Sequence, residues 1–181
     1  MFLRRSAWNY ETGATGGAGI GYVVGSGGKI ILTDPAGVQQ TFYYGGLGAG
    51  LSAGFKIPKV KLPALTYKGK GISGAGSATA FPSGGYVFMA PFFKGSELTY
   101  SDIQGATVYI DAGAGVIGGV SGSAMILGIE PLPLIAGLSN PAMFFLAEEA
   151  IRRAPAILLM AGVNVGPQFG GGVGALAGYL R

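Results

Sequence analysis

The chain has 181 residues, 36 of them glycine, and contains no cysteine and no histidine. Its 12 basic and 8 acidic side chains give a net charge of +4, and charged residues make up 11% of the chain, against roughly 25% in an average domain. Disulfides, thiolate sites and every triad or zinc motif that needs histidine are excluded, and so is collagen, because the glycines keep no three-residue period.

The N-terminus reads MFLRRSAWNYETG. Arg4 and Arg5 are followed by Ser6, Asn9 and Glu11, not by the apolar run of roughly 7–15 residues that a cleavable signal needs. The expectation is a cytoplasmic protein, or one exported by a signal-independent route, able to associate with membranes. Residues 1–13 read as an arm.

From 14 to 25 the sequence alternates. Gly17, Gly19, Gly21 and Gly25 fall on one face, with Ala18, Ile20, Tyr22 and Val24 on the other. Residues 28–33 form a short strand. Asp34-Pro35-Ala36-Gly37 carries the type I turn residues in order, and residues 38–44 return as the second strand of a hairpin. Alternation resumes over 45–57. Gly46, Gly48, Gly50, Ser52 and Gly54 share one face, and Leu47, Leu51, Phe55 and Ile57 lie on the other.

Residues 58–69, with Pro58 and Pro63, read as a loop or irregular edge. Residues 70–81 make a weak small-residue strand, 84–93 a strongly apolar one, and 94–104 a polar loop. Two strands occupy 105–129. Ala106, Val108 and Ile110 lie on one face of the first, opposite Thr107, Tyr109 and Asp111.

Then the pattern changes. Pro131 and Pro133 punctuate the chain. Asn140 suits an N-cap and Pro141 the first helical position, which predicts a helix over 141–153. Pro155 ends or kinks it, and 156–163 reads as a second short helix. The helical segment thus spans 139–165. The tail, 166–181, is a last strand or a tightly packed helix.

The fold expected is mainly β: one domain holding an antiparallel barrel or strongly curved sheet of about eight glycine-rich strands, with 14–130 as the sheet and a C-terminal helical segment. Part of that segment is expected against a glycine-lined face. A strand face bare of side chains allows close approach of another backbone. Alternatively it lines a lumen while the apolar face meets lipid, as in membrane barrels. The two packings differ in whether Ile20, Leu51 and Ile110 face the core or the outside.

Few motifs carry chemistry. Gly113-Ala114-Gly115-Val116-Ile117-Gly118 matches the dinucleotide fingerprint, but about one such match is expected in a chain this rich in glycine. No acidic residue follows at the required distance. Asp111 is a lone carboxylate and a possible polar site in a lumen; Glu97 and Glu130 are candidates for the second carboxylate that acid–base chemistry needs. Glu148–Arg152 and Glu149–Arg153 are spaced as helical ion pairs. Lys56, Lys59, Lys61, Lys68 and Lys70 lie in a window without acids. They protect a sheet edge or meet anionic lipid headgroups. From Ala154 to Leu180 there is no charge, yet the apolar run is too short to span a bilayer as a helix.

No family is assigned. The function expected is a non-catalytic, membrane-associating β-barrel, or one that binds a lipid or another apolar ligand. A secreted toxin-like or pore-forming component is one version. Its ligand-binding residues are the five lysines, its partner is a membrane surface or lipid, and no cofactor, metal or nucleic acid is expected. The alternative is a soluble protein-interaction module, such as a partner or immunity protein in a bacterial assembly, with a helix plugging its barrel.

Overall fold

The computed structural model describes residues 3–20, 23–49, 84–112, 122–161 and 174–181. Among them, eight antiparallel strands close into a barrel. In chain order these are β1 (Arg4–Ile20), β2 (Val23–Thr33), β3 (Gln39–Ala49), β4 (Gly84–Met89), β5 (Gly105–Ala112), β6 (Gly122–Ile129), β7 (Ala156–Ala161) and β8 (Gly174–Leu180). Around the barrel the order is β1-β2-β3-β8-β5-β6-β7-β4. The C-terminal strand β8 is inserted between β3 and β5, and β4 closes the ring between β7 and β1.

The β2–β3 hairpin follows from its turn chemistry. One Asp34 carboxylate oxygen accepts the backbone N–H groups of Ala36 and Val38, each at 2.9 Å, and the other accepts Gln40 Nε2 at 3.1 Å. Gly37 takes φ +84°, a region that favours glycine. The hydrogen bond from Val38, then those from Gln40, Ala36 and Gly37, hold the Asp34 carboxyl below its ordinary value against a smaller effect of burial.

The barrel interior is the main core. Trp8, Ile30, Leu32, Phe42, Met125, Leu127, Leu158 and Leu180 are buried together there. Trp8 and Phe42 rings lie 6.2 Å apart, and Phe42 stacks on Tyr100 at 4.6 Å. Tyr100 opens a short helix, α1 (Tyr100–Ile103). The segment before α1 folds over this end of the barrel, where Leu98 and Ile103 enter the interior core and Trp8 Nε1 donates to the Leu98 carbonyl at 2.8 Å.

A second core lies outside the barrel wall. Ala106, Val108 and Ile110 of β5 and Ile126 and Ile129 of β6 are covered by a helical pair. The pair comprises α2 (Pro131–Ser139) and α3 (Phe144–Arg153), joined by a 3-10 turn over Pro141–Met143. The Asn140 side chain caps that turn by accepting Ala142 N–H at 3.0 Å. A Cβ on Gly137 would collide with the Ala147 backbone, so the close approach of α2 to α3 requires glycine there.

Several expectations change. The chain is already in β1 at Arg4, and Trp8 is buried, so residues 4–13 are barrel wall and not an arm. The helical segment starts earlier, at Pro131, because proline suits a first helical turn, and it ends at Arg153. Residues 156–161 are β7 and not a helix; an unbroken apolar run before a strand buried on both faces reads the same way. The tail supplies strand β8. The helices α2 and α3 cover an apolar outer wall instead of a glycine-lined face, and they do not plug the barrel.

Candidate functional site

The bare glycine face has two solutions in two halves of the barrel. In the half that ends at the β2–β3 turn, aromatic rings fill the space. A Cβ on Gly85 would lie 2.8 Å from the Tyr10 ring, and one on Gly178 would collide with the Tyr44 ring. In the other half, the register carries the inward row on through small residues. From Ile30 and Tyr44, both buried inside, it continues through Gly28, Ser26 and Val24 on β2 and through Gly46 and Gly48 on β3. On β1, Gly13, Thr15, Gly17 and Gly19 pair into the same row. The opposite phase there holds Ala14, Gly16, Ala18 and Ile20 of β1, Val23, Gly25 and Gly27 of β2, and Gly45, Leu47 and Ala49 of β3.

Gly25 departs from the sequence expectation. Strand β2 runs antiparallel to β1, so Gly25 pairs with Ala18, in the opposite phase to Gly17 and Gly19, and Val24 pairs with Gly19. Ile20 is outward by register, Ile110 is on the outer wall beneath the helices, and Leu51 lies outside the described residues.

Where the two halves meet, exposed Lys29, Tyr43 and Arg181 stand side by side on the outer surface. Tyr179, also exposed, is the next outward residue along β8.

The helical pair presents a second apolar surface. Leu132 is 81% exposed, Ile135 58% and Phe145 62%, and Met143 adds to them. From Pro131 to Ile151 the fully exposed positions are uncharged, and the partly exposed Glu148 and Glu149 carry the charge. The charges gather at the end of α3, where Glu149 bonds both Arg152 and Arg153. Arg152 thus pairs with Glu149 and not with Glu148 as the spacing suggested. The hydrogen bonds from Arg152 and then Arg153 hold the Glu149 carboxyl below its ordinary value. Arg152 also lies over the Phe92 ring, 4.9 Å from its centre.

The five lysines and the Gly113–Gly118 match lie outside the described residues. Asp111 is near the end of β5, in register with Ser123 on β6 and Gly174 on β8. Glu97 is not beside it. Its carboxylate accepts Ser6 Oγ at 2.5 Å, Ala7 N–H at 2.8 Å and Leu98 N–H at 2.8 Å. Burial raises the Glu97 pKa, but those three hydrogen bonds and the nearby Arg4 charge outweigh it and leave the carboxyl below its ordinary value. Arg4 itself donates to the Phe93 and Gly95 carbonyls at 2.8 and 3.0 Å. Glu97 therefore ties the segment over the barrel end to β1. Glu130 is exposed and borders a cleft of about 430 Å³ that Glu149 and Arg153 also line. Among the described residues, no three acidic side chains gather to hold a metal, and no helix is long and apolar enough to cross a membrane.

Comparison with known proteins places this geometry in context. The chain is 40% identical to the toxin protein Tse4 of Pseudomonas aeruginosa strain PAO1, over 98% of this chain and 95% of that protein. No family model matches the chain, and no solved structure matches it. The similarity overturns the expectation of a non-catalytic protein. Toxins include enzymes, and the lack of histidine and cysteine excludes only the motifs built on them.

Proposed function

We propose that this chain, which belongs to the family of the toxin protein Tse4, is a toxin that acts on membranes. One observation carries the membrane reading. On β1 and β3 of the glycine-rich half, Gly17, Gly19, Gly46 and Gly48 keep the register phase of the buried Ile30 and Tyr44, while Ala18, Ile20, Leu47 and Ala49 take the opposite phase, an alternation suited to a wall that meets lipid. The tyrosine–cation border at Lys29, Tyr43, Arg181 and Tyr179 supports it. In this reading the lysines at 56–70 meet anionic headgroups, each adding about 1 kcal/mol near such a surface. The aromatic half is filled by its own side chains, so breaching the bilayer falls to the glycine half.

A toxin also needs a protein partner that protects the producing cell, and export by a signal-independent route is part of the same reading. The test is flotation with vesicles of phosphatidylglycerol and phosphatidylethanolamine, followed by release of an entrapped dye. Binding at low salt that weakens at high salt, with dye release, is the expected result. Protein that stays at the bottom of the gradient at low salt defeats the proposal.

A further inference from the structure

Strand β5 puts a carboxylate in the register phase of the barrel interior. Tyr109 packs against the interior core, while Ala106, Val108 and Ile110 belong to the outer core. Asp111 follows in the phase of Tyr109. It pairs with Ser123 of β6, which shares the phase of the interior Met125, and with Gly174 of β8, which shares the phase of the interior Leu180. Among the described strand positions of that phase, the other charged residue is Arg4, at the opposite end of the barrel, where it donates to the Phe93 and Gly95 carbonyls. From Asp111 the register runs round the wall through Ser123, Met160, Gly85 and Tyr10. Beyond Tyr10, the same phase of β1 turns to Gly13, Thr15 and Gly17. Asp111 thus stands at the level where the filled layers give way to the small-residue row.

We infer that Asp111 is the charge-selecting residue of this toxin: placed in the interior phase at the inner end of the small-residue row, it makes that row a site for monovalent inorganic cations and a barrier to anions. This inference rests on the membrane reading above and names the residue that gives the leak its sign.

The chemistry follows from charge and confinement. A carboxylate at membrane depth is costly to keep ionised without a counter-ion, and ionisable groups placed there mark ion pathways. Low-dielectric walls focus the field of such a charge and raise the local concentration of counter-ions. Charged side chains along a pore set the sign of the ions it admits. The described neighbours in the same phase, Ser123 and Gly174 beside Asp111 and Thr15 and Ser26 along the row, add oxygen atoms but no charge. One carboxylate with neutral oxygens suits a monovalent ion, because protein sites for calcium gather several carboxylates, and among the described residues no three acidic side chains come together.

The test is the reversal potential across planar bilayers of phosphatidylglycerol and phosphatidylethanolamine under a potassium chloride gradient, which gives the ratio of potassium to chloride permeability. The wild type is expected to favour potassium. Asp111→Asn is expected to lower the ratio by at least about fivefold. Asp111→Asn/Ser123→Asp, which moves the charge to the cross-strand partner, is expected to recover it. Should Asp111→Asn fail to fold, Ser123→Asp alone decides: a second carboxylate beside the first raises the ratio, and an unchanged ratio overturns the inference. A folded Asp111→Asn with the wild-type ratio overturns it too, as does a wild type that leaks without favouring potassium; both leave the membrane reading standing. A wild type that neither floats with vesicles nor carries current removes both.

Discussion

The two halves of this barrel are built on the same alternation and filled in opposite ways. Toward the β2–β3 turn, the inward row carries Trp8, Phe42, Met125 and Leu127, and glycines occur where a tyrosine ring needs the room. Toward the far end, the same row on β1, β2 and β3 is almost all glycine, serine or threonine. An eight-stranded barrel is just wide enough for side chains to fill. The aromatic half meets that condition and supplies the fold's stability. The glycine half keeps small residues in the phase of that row on β1 and β3, and Ala18, Ile20, Leu47 and Ala49 in the other. One strand pattern thus gives a filled interior at one end and a small-residue row at the other, which the proposed function assigns to lipid.

The comparison breaks most readily at Phe42, which is fully buried against Trp8 and Tyr100. Phe42→Ala should lower stability by about 3–5 kcal/mol, read from urea unfolding. A loss below about 1 kcal/mol would mean that the aromatic half is not the anchor.

Gly178 sharpens the same point. Gly178→Ala should destabilise by about 1–3 kcal/mol, because the new methyl group meets the Tyr44 ring and the Gly45 carbonyl. In a Tyr44→Leu background the penalty should shrink, and a strictly additive double mutant would contradict the ring-over-glycine packing.

Glu97 tests how the end segment is fastened. Glu97→Gln should cost about 1 kcal/mol through its weakened hydrogen bonds to Ser6, Ala7 and Leu98. The sign with pH follows from its lowered pKa. The stabilisation is complete above the ordinary glutamate value that the unfolded chain keeps, and is lost as pH falls through the lower folded value. The wild type should therefore lose stability relative to Glu97→Gln as an acid titration passes below that value. Parallel acid profiles for the two proteins would show that the carboxylate is not the fastener.

The smallest effect belongs to Glu149→Gln. Its partners Arg152 and Arg153 are exposed, and surface pairs contribute little. Thermal melting should not resolve the change.

Much of this was readable from the residues. The Asp34–Gly37 turn and its two strands follow from turn chemistry, and the two faces of β5 follow from alternation. The separation of β1 from β2 was hidden, because the same small-residue rhythm runs from Gly17 to Gly25. Strand β7 was hidden because AILLMA, buried on both faces, has no period to separate strand from helix. The helix α2 was hidden by its prolines, which mark a loop as often as a first turn. The outer helical surface left no sequence signal either, since which side of an all-apolar helix stays open is decided by what it packs on. Glu97 drew notice only as a carboxylate. Its partners, Ser6 and Ala7, are some ninety residues away in sequence.

The central claim is that the glycine half faces lipid with its outward row. A run of single-cysteine variants at 46, 47, 48 and 49 on β3, each carrying an environment-sensitive label, tests it directly in phosphatidylglycerol-containing vesicles. The account predicts a two-residue alternation, with Leu47→Cys and Ala49→Cys blue-shifted and Gly46→Cys and Gly48→Cys not. Equal signals at all four positions, or the reverse alternation, would contradict it.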